Sequence, residues 1–394
     1  MAQYPHVVLL IETASVYARR ILSGIARYLK EHRPWSLFVF EYSELGGSLP
    51  RWLLNWRGDG IICRFLLTPR LAKRLHKRNV PMVNLNDFYS NPWLPLIRSD
   101  DDAIGRLAAE HLRQRCFRHF AFCGFTDLEW SRQRREGFRI ALGGRGIFCG
   151  AYESAWSIRR SRAWEREQED IKRWLRSLPK PVGVLACNDG CGQHIVNACQ
   201  QANLAVPEDV AVIGVDDDAL LCELCNPPLS SVIPDSERIG YESAALLDRL
   251  MGGGRPPQQQ WLIPPLGVMT RQSTDVLAID DPDLVAAVRY IREHACQGIS
   301  VGDVLKHVLL SRTILERKFR RHLGHSPQAE IRAVQLRRVQ QLLAETHLPL
   351  DRIAALAGYK HSEYMSVVFK RSTKQTPGQY RRQAQSAVHR LPPR

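Results

Sequence analysis

Seven short apolar runs recur through the first 215 residues: His6–Ile11, Leu37–Phe40, Gly60–Cys63, Met82–Leu85, Phe120–Cys123, Val182–Cys187 and Val210–Val215. Runs this short, rich in Val and Ile and separated by amphipathic stretches, read as parallel strands buried on both faces. The intervening stretches have helical spacing. Arg19 to Lys30 puts Ile21, Leu22, Ile25, Tyr28 and Leu29 on one face, and Asp101 to Leu112 does the same with Ile104, Leu107, Ala108 and Leu112. The strand–helix series runs twice, breaking near Ile97–Asp100. The expected body, residues 1–275, is therefore α/β: two doubly wound lobes forming one ligand-binding domain. At 394 residues the chain has room for a further unit.

Parallel sheets present ligands at the carboxyl ends of their strands. Here those ends are polar: Glu12 follows the first run, Arg64 the third, Asn188–Asp189 the sixth and Asp216–Asp218 the seventh. Asp100 and Arg134 open or sit within neighbouring helical segments. A carboxylate accepts from two hydroxyls and a guanidinium donates as a fork, so this set suits a neutral polyol such as a sugar. For any one residue helix capping is an equally good explanation, with Asp101 or Asp189 as plain N-caps. Recurrence of the pattern in both halves favours a pocket.

Other chemistries find little support. No apolar run approaches the roughly 18 residues of a membrane span. The amino terminus lacks a basic n-region and Glu12 interrupts its apolar run, so a cytoplasmic protein is expected. There is no GxGxxG after a strand, no GxxxxGK[ST] and no GxSxG. Neither catalysis nor a cofactor is expected. Ten cysteines include one CxxC, Cys222 and Cys225, but no second pair completes a zinc set, so no metal is expected. A rival reading makes the body an enzyme, for instance a DNA-repair protein using Cys187 or Cys191 as acceptor. It requires a thiolate activated by a nearby base or helix start.

Charge locates the second function. From Leu284 to Arg394 there are 20 Lys/Arg against 7 Asp/Glu, while the remaining residues hold 35 against 33. A compact cationic tail on a near-neutral body is the footprint of a polyanionic partner. Within it, Asp303–Leu315 reads as a helix interrupted at Ser311, a good N-cap for a second helix carrying Arg312, Thr313, Arg317, Lys318, Arg320 and Arg321. About 50 residues later the arrangement recurs. Ile353, Ala354 and Leu356 lie on a first helix, Gly358 and Tyr359 form the turn, and His361 to Arg371 form the second helix. Between the two, Gln328 to Glu345 has helical apolar spacing. About 18 residues of helix span roughly 27 Å, near the ~34 Å between successive major grooves on one face of B-DNA. One chain thus offers two recognition helices to adjacent grooves of double-stranded DNA. Candidate contacts are Ser311, Arg312, Thr313, Arg317, Lys318 and Arg320 in the first unit. Those in the second are Lys360, His361, Ser362, Glu363, Lys370 and Arg371. A linker is expected over 276–285 and the all-α tail over 286–394.

The closing stretch IAALAGYKHSEYMSVVFKRSTKQTPGQYRR resembles the signature of the AraC/XylS family of transcription regulators, with Pro377, Tyr380 and Arg381 at its final positions. It departs at Lys374, where that family usually has a glycine suited to a left-handed helix end. The pieces IRSDDDAIGRLAAEHL, RREGF, VLACNDGCG and VAVIGVDDD resemble, in order, the sugar-binding domain of LacI/GalR regulators, itself similar to periplasmic binding proteins. A LacI-like body joined to an AraC-like tail is similar, end to end, to regulators of xylose operons. The resemblance implies a sugar-controlled regulator, an activator acting as a homodimer with RNA polymerase as partner and D-xylose as effector. A repressor responding to another metabolite is the alternative. The resemblance puts Asp100, Arg134, Asn188 and Asp216 on sugar-contacting positions, with Glu12 and Tyr17 as further candidates beside Asp189.

Overall fold

The computed structural model describes residues 4–40, 51–64, 69–86, 94–143, 146–155, 164–276, 278 and 281–388. The chain divides into two units, Met1–Ala278 and Ile279–Arg394. The division falls inside the expected linker.

The first unit holds two six-stranded sheets. One, ordered β11-β5-β4-β3-β1-β2, is wholly parallel among its described pairs and comprises β1 (His6–Leu10), β2 (Ser36–Phe40), β3 (Gly60–Cys63), β4 (Met82–Asn84), β5 (Leu96–Ser99) and β11 (Gln260–Ile263). The other, ordered β12-β10-β9-β8-β6-β7, comprises β6 (His119–Phe125), β7 (Ile147–Ser154), β8 (Val182–Ala186), β9 (Val210–Val215), β10 (Ser230–Ile233) and β12 (Gly267–Met269). Its edge strand β12 alone runs antiparallel to its neighbour. All seven apolar runs are strands, and alternation divides their side chains between two layers. In β1, Val7 and Leu9 join the core under α1 (Val16–Glu31), whereas Val8 and Leu10 pack on the opposite face with Leu53 and Leu75.

The expected break near Ile97–Asp100 is real but is one of three crossings. The chain passes from β5 into α3 (Asp101–Gln114) of the second lobe. It returns after β10 into α8 (Ser236–Met251) and β11, then crosses again to β12. The two lobes are therefore not simple sequential halves. Helix α3 packs on α4 (Glu129–Leu142) through two glycines. A Cβ on Gly105 would meet the Arg134 carbonyl oxygen at 2.1 Å, and one on Gly137 the Asp102 carbonyl oxygen at 2.3 Å. Among the described residues the second lobe also holds α5 (Trp164–Ser177), α6 (Asp189–Gln201) and α7 (Ala219–Leu224). In the first lobe the described helices are α1, α8 and α2 (Pro69–His76).

The second unit is all-helical: α9 (Pro282–His294), α10 (Val301–Val308), α11 (Arg312–Leu323), α12 (Pro327–Glu345), α13 (Leu350–Leu356), α14 (Ser362–Thr373) and α15 (Pro377–Val388). Helix α9 begins at Pro282, capped by Asp281, so the last four residues of the expected linker are already helical. The second helical half closes around Val339, Leu343, Ile353, Met365 and Phe369. In the first half Leu315 and Phe319 are buried equivalents. Gln335 of α12 donates its amide to the Ala295 and Gly358 carbonyls, at 3.0 and 3.2 Å, fixing the connecting helix against both halves.

Candidate effector cleft and nucleic-acid interface

The polar strand ends converge. After β1, buried Glu12 accepts from Ser15 at 3.1 Å and pairs with Arg64, which follows β3. The Arg64 guanidinium also lies over the Tyr17 ring, 5.0 Å from its centroid. Tyr17 shares a 2.9 Å hydrogen bond with Ser99 at the end of β5. From the second lobe, Arg134 of α4 is 5% exposed, with its Nε donating to Asp101 at 2.8 Å and a terminal nitrogen donating to the Cys187 carbonyl at 2.6 Å. The same nitrogen lies 4.0 Å from the Asp216 carboxylate, and the guanidinium stacks 4.7 Å from the Trp130 ring centroid.

Electrostatics join the two lobes' contributions into one cluster. Burial pushes Asp216 up to about 6, opposed by Arg134 and by Arg64 from across the cleft. Burial lowers Arg64 to about 10, with Asp216 resisting. Arg134 is pulled down by burial but raised overall by Asp101 and Asp216, and so stays cationic. Tyr17 is held protonated by burial, and it feels Asp101, Arg134 and Asp216. A fork donor, ionisable carboxylates, a phenol and a flanking indole face is a set that can orient vicinal hydroxyls.

Helix capping falls one residue earlier than expected. Asp100 and Asn188 are the N-caps of α3 and α6, accepting from the Ala103 and Cys191 amides at 2.8 and 2.9 Å. Asp101 and Asp189 stand inside the first turns. Asp189 is buried and takes the Ser231 hydroxyl at 2.6 Å and the Asp218 amide at 2.8 Å; burial pushes it up to about 8. It braces the loop after β9, where Asp216 and Asp217 both adopt positive φ, 109° and 50°. Arg20 of α1 reaches that loop from the other lobe, donating to the Asp216 and Asp217 carbonyls at 2.8 and 2.9 Å. Arg20 and Trp130 are not among the expected ligand residues, and Asp101, expected only as a helix cap, is instead the partner of Arg134. Arg20 stands one helical turn after Tyr17, the one pattern that pointed to it.

All ten cysteines are free thiols. Cys187 and Cys191 are buried with sulfurs 3.3 Å apart, and burial raises the Cys187 thiol well above its ordinary value, the opposite of an activated nucleophile. Among the described residues no group of three or more His, Cys, Asp or Glu side chains is placed to hold a metal ion. No described helix is long and apolar enough to cross a membrane.

In the helical unit Ser311 caps α11, accepting from the Ile314 amide at 3.4 Å. Arg312, Thr313, Glu316, Arg317, Arg320 and Arg321 line an open depression on the outer side of that helix. Lys318 differs from the expectation. Its ammonium is engaged by Asp281 at 2.7 Å and Asp283 at 2.9 Å, and its side chain is only 22% exposed. On α14, Glu363, Tyr364, Val367, Lys370 and Arg371 are exposed, as are Lys360 and His361 ahead of it; Ser362 is half-buried. His361 stands at the N-cap position without a side-chain capping bond. Of the three residues placed on the first helix, Ile353 and Ala354 are buried and Leu356 is 43% exposed. Lys374 takes the left-handed helix end itself, φ 62°, its amide bonded to the Lys370 carbonyl at 2.9 Å.

Two α/β lobes sharing a buried polar cluster and a unit with two helix-turn-helix motifs are the build of a ligand-responsive, DNA-binding transcription regulator. Family models match along the chain: the XylR N-terminal domain over residues 6–97, a periplasmic binding protein-like domain over 109–274 and a helix-turn-helix domain over 304–383. The chain is 32% identical over 386 residues to the xylose operon regulatory protein of Escherichia coli K12, covering 95% of this chain and 96% of that one. It is 32% identical over 390 residues to the protein of the same description from Haemophilus influenzae, covering 96% and 98%. A solved structure described as the xylose-binding transcription activator xylR is 31% identical, with a TM-score of 0.60 over 96% of this chain and 98% of that one. The chain belongs to the family of xylose operon regulatory proteins, and is a sugar-responsive DNA-binding transcription regulator.

Proposed function

We propose that this regulator is a cytoplasmic, homodimeric activator that binds D-xylose between its lobes, without catalytic activity, and recruits RNA polymerase from the DNA it occupies. The observation that carries the effector assignment is the meeting of Arg134, Asp216 and Asp101 with Arg64 and Tyr17, drawn from both lobes at the carboxyl ends of the strands. Arg134 donates to ring hydroxyls while Asp216 and Glu12 accept from them; Tyr17, Asp100 and Asn188 complete the wall, and Asp189 supports the Asp216 loop. The similarity to xylose operon regulatory proteins and to a xylose-binding activator supports xylose among neutral polyols. Sugar bound more tightly by the closed pair of lobes shifts the population toward the DNA-binding arrangement.

In the tail, Arg312, Arg317 and Arg320, with Lys360, Lys370 and Arg371, meet phosphates and guanine edges; Ser311, Thr313, His361, Ser362 and Glu363 stand at the two groove-facing helix starts. The test is calorimetric titration of the full chain with pentoses and hexoses, followed by duplex binding with and without the best ligand. Heat with D-xylose that disappears in Asp216→Ala is expected. No heat with any sugar defeats the effector assignment.

A further inference from the structure

The two helix-turn-helix units repeat with a fixed offset of fifty residues through their second helices. Leu315 and Phe319, buried in the first, correspond to Met365 and Phe369, buried in the second. Gly324 and Lys374 end the two helices in the same left-handed conformation, each with its amide bonded to the carbonyl four residues back. Pro327 and Pro377 then open the next helices. With the core sides superposable, the outward positions correspond too. Thr313 faces outward where Glu363 does, Arg320 where Lys370 does, and Arg321 where Arg371 does.

One outward position reverses its chemistry. Arg317 in the first helix is matched by Val367 in the second, and Val367 is 65% exposed, one turn after Glu363 and one turn before Arg371. A valine exposed to that extent has most of its surface outside the core, and on its helix face Lys370 and Arg371 follow it by one turn while Glu363 precedes it by one. An exposed apolar side chain one turn before a pair of phosphate-seeking cations is matched by the one apolar group on the major-groove floor, the thymine 5-methyl; an arginine there is matched by guanine O6 and N7.

We infer that the two recognition helices read different bases through one equivalent position, guanine by Arg317 in the first half-site and thymine by Val367 in the second. This rests on the proposed DNA-binding reading of the tail and names the residue that sets specificity within it. The patch of Val367 and Tyr364 is thereby assigned to DNA and not to a protein partner, because it holds the position of Arg317 in the repeat and runs into the Lys370–Arg371 cationic end of the same helix.

The test is selection from a random duplex pool by the full-length protein in the presence of D-xylose, repeated with Val367→Ala and Val367→Arg. Both changes are at an exposed position, so folding is retained. Wild type is expected to enrich a site whose second half holds a fixed thymine. That preference disappears in Val367→Ala and moves to guanine in Val367→Arg. Replacing the fixed thymine by deoxyuridine in the selected duplex removes only the methyl. It is expected to weaken wild type roughly three- to fivefold and Val367→Ala not at all. An enriched site read identically by all three proteins overturns the inference while leaving the regulator intact, and marks the patch as a protein contact. If wild type enriches no sequence, the sequence-specific reading of the tail falls with it.

Discussion

Arg20 and Asp217 belong to different lobes, yet the guanidinium of Arg20 donates to the Asp217 carbonyl at 2.9 Å and lies 3.4 Å from its carboxylate. With the further bond to the Asp216 carbonyl, three contacts cross the cleft from one side chain. A partly buried ion pair contributes little alone, but carbonyl bonds to a guanidinium add to it, so removal costs this lobe-to-lobe contact about 1 kcal/mol. Arg20→Ala is expected to weaken sugar binding about fivefold without altering the fold. Calorimetry on the variant decides it; an unchanged dissociation constant means the latch has no part in closure.

Sugar affinity is expected to depend on pH through Asp216. Its carboxyl is raised from the usual carboxylate range to about 6 by burial, which Arg134 and Arg64 oppose, Asp101 reinforces and Arg20 again opposes. The ionised form is the stronger acceptor for hydroxyls. Affinity should therefore be full at pH 7–8 and decline as the pH falls through about 6, as the proton must leave before the sugar binds. Titrations at half-unit intervals test this. Asp216→Asn should bind weakly with no step; a step that persists in it belongs to another group.

Close helix contact holds Arg134 in the cleft. Because the Gly105 and Gly137 positions leave no space for a methyl group beside the Asp102 and Arg134 backbones, Gly105→Ala should push α3 from α4. Overpacking of this kind costs about 1–3 kcal/mol. Sugar affinity should fall alongside the melting temperature, because Asp101 and Arg134 ride on the displaced helices. A variant that melts early but binds normally would separate the packing from the site.

Legibility followed apolar run length more than burial: exposed β2 (SLFVF) stood out, against the expectation of a strand buried on both faces, whereas buried β10 (SSVI) did not. Strands β3, β8 and β9 are buried along their whole length and their sequences are unbroken apolar runs, as is β1 after its exposed His6; β4 is buried but carries Asn84. Strands β11 (QWLI) and β12 (GVM) lie on sheet edges, half-exposed, and carry no run long enough to stand out. Missing them hid the second and third crossings. Ligand candidates were visible because strand ends are; Arg20 was not, since its partners are backbone carbonyls nearly 200 residues away. Lys318 looked like Arg317 in sequence because nothing local announces that Asp281 and Asp283 wait beside it.

That difference is measurable. Arg317→Ala should reduce the slope of log affinity against log salt by about one, the mark of one lost phosphate or base cation. Lys318→Met should leave the slope unchanged and lower thermal stability instead. The helix α9 start would lose the cation that, with the Leu284 amide bond, holds Asp281 below the usual carboxylate range against the opposing effect of burial. Equal loss of slope in both variants would return Lys318 to the DNA-facing set.

The end of α14 carries a cost that one substitution relieves. Lys374 occupies φ 62° where its counterpart Gly324 occupies φ 75°, and only the glycine does so without a Cβ against its own backbone. The left-handed conformation costs a lysine about 1 kcal/mol. Lys374→Gly should recover most of that, less the greater entropy glycine has in the unfolded chain. The helical unit's melting transition should rise by a few degrees, with the sugar-binding unit's transition unmoved. A fall in that transition would mean the lysine makes an interaction worth more than the strain, with its cation as the first suspect.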